Sequence, residues 1–336
     1  MTPATANLES APQSSELSGE APTSLETDSN VAVAEPPTVP AVGESAPSSE
    51  SAPGSDSSTI TPALAFLNRI GLIDKLTPVR DLNREIKLES PQLDSLYAVV
   101  EGDVEINKRF LKFANAAWFN SRIQIDSPVM AFTRFGTEGF YRLMLATFLQ
   151  GSIGELSTKF KIWPHLEWTA RAGEMIARQL APKYTDQVFA AGLLHDAVVA
   201  PMDRELPDYL YFIECALWTD PIVTGLEFSC HNFDHAQAAA ELARALDFEE
   251  PIIEAVSGHH NESMSAVTTG DARAILGLLL ATKRAVSVSQ GQKKNAFESA
   301  TEKALLREIA NALNVSSGRV ASAVTDVVDM LHLPAS

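Results

Sequence analysis

The first 60 residues contain no Lys, no Arg and no aromatic residue; they carry nine acidic residues and eight prolines instead. A stretch with so little to bury cannot offset the entropy of ordering its backbone, so residues 1–60 are expected to be a disordered acidic tail. The tail holds −9 of the formal charge of −17. Basic runs are missing from the whole chain, so no surface for the phosphates of a nucleic acid is expected. Cysteine is nearly absent. Cys215 and Cys230 lack the close spacing of a metal knuckle, and one pair makes no disulfide framework in 336 residues. No apolar run reaches the ~18–20 residues of a membrane span. The longest candidate, "AILGLLLATKRAV", meets Lys283 and Arg284 and reads as a buried helix. No basic start leads into an apolar core, so no secretory leader is expected, and with the sparse cysteines a reducing, cytoplasmic location is the expectation.

Alternating strand patterns are also missing, apart from "RIQID" as a short extended piece. What is present is helical. Thr61 and Pro62 open "TPALAFLNRIGL" as cap and first helical residue, and Ser90 and Pro91 repeat the device. Ser127 and Thr137 are candidate caps, and Gly136 and Gly151 candidate stops. Downstream segments carry apolar residues at three- and four-residue spacing. "DQVFAAGLLHDAV" is nearly all apolar and should be a central helix. The expectation is an all-α, multi-helix bundle in two subregions after the tail. Residues 61–152 form an N-terminal helical part, 153–290 a second helical part, and 291–336 C-terminal helices.

Seven histidines are present, and six fall between residues 165 and 260: His165, His195, His231, His235, His259 and His260. Imidazole and carboxylate are ligands for Fe, Mn, Zn or Mg. The adjacent His195 and Asp196 stand about 100° apart on a helix and can reach one metal or bridge two. His231 and His235 are four apart, but His231 precedes the candidate cap Asp234, which speaks against a shared helix face. The alternative to a metal is a buried polar network in which Asp196 only orients His195.

"AGLLHDA", "DHAQAAAELARAL" and "IIEAVSGHHN", in that order, resemble the HDOD family, the HD-related output domains of bacterial signalling proteins. "DVEINKRFLKFANAAWFNSRIQIDSPVMAFTRFG", with Asn115, resembles the family's first half. "WPHLEWTARAGEMIARQLA" resembles the opening of its second half. The similarity spans about residues 85–285. The related HD phosphohydrolases hold metal through a His, a His-Asp pair and a later Asp. The resemblance puts His165 at the first position and His195 and Asp196 at the pair. His235, His259 and His260 match the further histidines of enzymes that hydrolyse cyclic dinucleotides. The last Asp is replaced by Thr282, a poorer ligand than a carboxylate, and "HDAVVAPM" lacks the glycine that often follows the pair. The resemblance therefore implies a regulatory HDOD protein without catalysis, which binds a signalling partner protein or a small ligand and holds a divalent metal weakly. The alternative is a metal-dependent phosphohydrolase acting on a nucleotide or cyclic dinucleotide.

Overall fold

Thr61 accepts a hydrogen bond from the Leu64 amide, and Pro62 follows it as the first residue of α1 (Pro62–Arg69). The computed structural model describes residues 60–88, 94–116, 123–154, 161–207, 209, 222–261, 263–267 and 269–332, without the side chains of Ser95, Leu96 and His332. The expected tail, the Ser90–Pro91 cap and Cys215 lie outside the described residues. The described residues contain no strand, and residues 123–126 of "RIQID" are irregular. The fold is all-α.

Two short helices follow, α2 (Leu72–Lys75) and α3 (Thr77–Glu85), then α4 (Asp94–Glu101) and α5 (Val104–Ala114). Asn115 ends α5. Its side-chain amide donates to the Leu111 and Ile125 carbonyls and its oxygen accepts from the Ile125 amide, each at 2.8 Å. It thereby pins the chain that leads into α6 (Pro128–Ile153). Ser127 caps α6 as expected. Gly136 breaks it with φ 68° and ψ −173°, a backbone conformation open to glycine. Gly151 does not stop it; the helix ends at Gly154, φ 75°.

The centre of the fold is the pair α7 (Ile162–Leu180) and α8 (Thr185–Leu194). Every residue from Val188 to Leu194 is buried, which explains the absence of a polar stripe in that segment. The two helices run antiparallel and approach closely. A Cβ on Gly192 would lie 2.6 Å from the Ala170 Cα, and one on Gly173 would lie 2.7 Å from the Val188 Cγ1. That register sets His165, at the start of α7, against His195, at the end of α8; their ring centroids are 5.4 Å apart. Buried Arg142 ties α6 to the pair, bonding Asp186 at 2.6 Å and Glu174 at 2.7 Å. Such pairing is what a buried guanidinium needs.

Next come α9 (Val199–Glu205), α10 (Ile222–His231), α11 (His235–Ala245), α12 (Glu250–Ser257) and α13 (Gly270–Ser289). Asp234 caps α11 in a reciprocal box with Gln237, so His231 and His235 sit on different helices. α13 packs on α7, α8 and α12, and α14 (Ala300–Ala312) and α15 (Ser317–His332) cover it. Among the described residues no helix is long and apolar enough to cross a membrane.

Candidate metal centre

His195 closes α8 and Asp196 stands in the turn after it. The Asp196 carboxylate is the hub of a histidine cluster. Its Oδ2 lies 3.3 Å from His165 Nε2 and 3.1 Å from His195 Nε2. Its Oδ1 lies 3.3 Å from His235 Nε2 and 3.2 Å from His259 Nε2. His260 Nε2 stands 2.8 Å from His235 Nε2. The side chains come from the start of α7, the end of α8, the start of α11 and the turn after α12. All six candidate residues, His165, His195, Asp196, His235, His259 and His260, are thus brought together. They fall into two potential ligand groups, His165, His195, Asp196 and Asp196, His235, His259, His260; within each, the donor atoms lie within 4.8 Å of one another. His231 stays outside them, its ring 6.4 Å from that of Tyr209.

The tautomers are legible from the acceptors behind the rings. His195 Nδ1 lies 2.9 Å from the Gly192 carbonyl, and His259 Nδ1 lies 2.6 Å from the Val256 carbonyl. A carbonyl only accepts, so Nδ1 carries the proton in both rings. Burial pushes both rings below their usual pKa, toward the neutral form, and for His259 the nearby Lys283 and His260 add to it. The Nε2 lone pairs of both rings therefore face carboxylate oxygens at 3.1 and 3.2 Å. The Nε2 of His195 is buried and makes no hydrogen bond among the described residues. Lone pair against anion is unfavourable without a cation between them. The separations also fit one, because the ligand-to-ligand edge of a shell with ~2.0–2.1 Å bonds is about 3.0 Å for an octahedron and 3.4 Å for a tetrahedron. The residues present fit a divalent metal.

One group escaped the sequence reading. Glu227, on α10, is fully buried. Its Oε2 accepts from His235 Nδ1 at 2.7 Å and from the His235 amide at 2.9 Å, and its Oε1 accepts from the Tyr209 hydroxyl at 2.5 Å. Burial alone would raise the Glu227 carboxyl; the facing His235 and these hydrogen bonds outweigh it and hold it below the usual range. His235 goes the other way: burial would lower it, but Glu227 and Asp196 raise it to about 10. Asp196 would likewise rise on burial, but the hydrogen bonds it accepts from His165 and His235 hold it well below its usual value. A glutamate inside the apolar run "GLEFSC" was the available signal, since a carboxylate there must find a partner.

Lys283, whose charge follows Thr282 in the sequence, also reaches the cluster. Thr282, the expected site of a missing carboxylate, donates to the Leu278 carbonyl at 2.7 Å. It packs toward Gly173, about two turns along α7 from His165. The side chain that α13 extends to the cluster is Lys283, whose Nζ donates to the His259 carbonyl at 3.2 Å. One turn earlier on that face stand Leu279 and Leu280, both buried. The departure from the enzyme pattern is therefore larger than one hydroxyl: the α13 side chain that reaches the cluster carries an ammonium.

The model of the HDOD domain matches residues 77–262, more than half of the chain. The chain belongs to the HDOD family. A search of the curated proteins finds no match. Solved structures share the HDOD fold at low identity. One is a "Putative phosphohydrolase" from Shewanella amazonensis SB2B, 16% identical, TM-score 0.58, covering 80% of this chain and 97% of its own. A second is an HDOD domain protein with unknown function from Geobacter sulfurreducens, 16% identical, TM-score 0.54, covering 80% and 99%. A third is a "Putative signal transduction protein" from Marinobacter aquaeolei VT8, 16% identical, TM-score 0.58, covering 82% and 65%.

Proposed function

We propose that this HDOD protein is a regulatory module that keeps a divalent metal at Asp196 and acts by binding a partner protein or a small ligand, not by turnover. The observation that carries this reading is the convergence of imidazole nitrogens on one carboxylate, with the lone pairs of His195 and His259 fixed toward it. Five imidazoles to one carboxylate favour Zn or Fe over Mg. When bound, the metal supplies a Lewis-acidic point that can hold an anionic group or activate water. Against turnover stand the single carboxylate within the cluster and the Lys283 ammonium beside it. The experiment is to purify the full chain without chelator, measure its metal, and assay cyclic dinucleotides, nucleotides and a generic phosphodiester with Zn, Fe, Mn or Mg added. Bound metal without hydrolysis supports the proposal. One observation favours the second reading, a metal-dependent phosphohydrolase: the two oxygens of Asp196 serve different ligand groups, as a carboxylate bridging two metals would. Metal-dependent turnover of roughly 1 per second or faster, lost in Asp196→Asn, would establish that reading instead.

A further inference from the structure

The two sides of the Asp196 carboxylate differ in what stands behind their ligands. On the Oδ1 side are three imidazoles, and His235 has an anion at its back: the buried Glu227, bonded to both the ring and the amide of His235 and steadied by Tyr209. On the Oδ2 side are two imidazoles, and His195 is backed by the neutral carbonyl of Gly192. We infer that Glu227 is a positioning residue that makes the centre unequal, with a tight metal site on the Oδ1 side and a weak, exchangeable one on the Oδ2 side.

Three effects point the same way. A carboxylate behind an imidazole makes its other nitrogen a stronger donor than a carbonyl does. The two hydrogen bonds that Glu227 accepts from the ring and the amide of His235 keep the ring from turning away, which lowers the ordering cost when metal arrives. The charge of Glu227 also adds a second anion on the Oδ1 side, which offsets the Lys283 ammonium bonded to the His259 carbonyl there. Donor count agrees: three nitrogens and one oxygen complete a four-coordinate shell, whereas two nitrogens and one oxygen leave positions open for water or a ligand. The Oδ1 metal would be the permanent resident. The Oδ2 metal would come and go with supply, so occupancy of the second half is the variable a regulatory protein could report.

This inference rests on the metal-holding reading above, and the test separates the two. The untagged full chain, stripped with chelator, is titrated with zinc by calorimetry. Two steps are expected, the first much tighter. Glu227→Gln weakens the first step by about ten- to a hundredfold, the usual effect of losing a group behind a ligating histidine, and leaves the second. His165→Ala removes the second and leaves the first. A wild type that takes up no zinc overturns the metal reading and this inference together. Two steps of equal affinity, or a first step unchanged in Glu227→Gln, overturn the inequality alone. If melting curves show that Glu227→Gln does not fold, Tyr209→Phe replaces it. That variant removes one hydrogen bond from Glu227 and keeps the carboxylate, so the first step should weaken about threefold, a smaller loss of the same kind; no change would overturn the inference.

Discussion

Lys283 reaches from α13 to donate its ammonium to the backbone carbonyl of His259, 3.2 Å away. A cation is thus built in beside a cluster that fits a second one. Replacing it by methionine keeps the length of the stem and removes the charge. Lys283→Met is expected to raise zinc affinity about threefold to tenfold, the scale of a partly screened charge interaction. Calorimetry checks it, and salt should shrink the difference between the two proteins.

Asp196 faces four imidazoles from four parts of the chain. In the chelator-stripped protein, Asp196→Ala leaves the raised His235 with one partner fewer. The loss expected is about 1–3 kcal/mol, the cost of removing the partner of buried polar groups. Urea denaturation with and without chelator checks it. The gap between wild type and variant should widen when metal is present, because only the wild type gains from binding.

Gly192 and Gly173 set the closeness of α7 and α8, but not equally. A Cβ at 192 would strike Ala170 Cα and N at 2.6 and 2.8 Å, which is backbone; at 173 it would strike the Val188 Cγ1 at 2.7 Å, a side-chain methyl. Backbone yields less than a methyl group. Gly192→Ala is expected to cost about 3 kcal/mol, the upper end of overpacking, and Gly173→Ala about 1 kcal/mol, the lower end. Gly192 also fixes the His195 ring through its carbonyl, so only the first variant should lower metal affinity. Denaturant melts and zinc titration of both proteins check the contrast.

Glu302, at the start of α14, is bonded by Lys293 and by the amides of Ser299 and Glu298. Burial alone would raise its carboxyl, but these bonds hold it at about 2 against an ordinary 4.5. A lowered folded-state pKa means that its contribution to stability is complete above pH 4.5 and is lost as the pH falls through 2. Glu302→Gln should therefore destabilise the protein at neutral pH and converge with wild type toward pH 2. Melting temperatures across that range check it.

The all-α fold was legible because its local signals are strong. Thr61–Pro62, Ser127 and Asp234 cap the helices that the sequence assigns to them. The apolar α8 lies at the centre because it has no polar face to turn outward. The clustering of histidines was legible too, and so was the doubt over a helix face shared by His231 and His235, which sit on different helices. Helix register was less so. Thr282 and Lys283 differ by about 100° around α13, and only packing decides which of them meets the cluster. Gly151 continues α6, with the Arg109 side chain close against it, and Gly154, with φ 75°, ends it. Glu227 was missed because its partner, His235, lies across a helix boundary, where spacing carries no signal.

The Asp196 centre is proposed to hold a metal. Elemental analysis of the full chain, purified with neither chelator nor added metal, tests it most directly, with Asp196→Asn as the comparison. Roughly one zinc or iron per wild-type chain is expected, as for one filled site of histidine and carboxylate donors, and little or none in the variant. A metal-free wild type that takes up no zinc when zinc is supplied would contradict it.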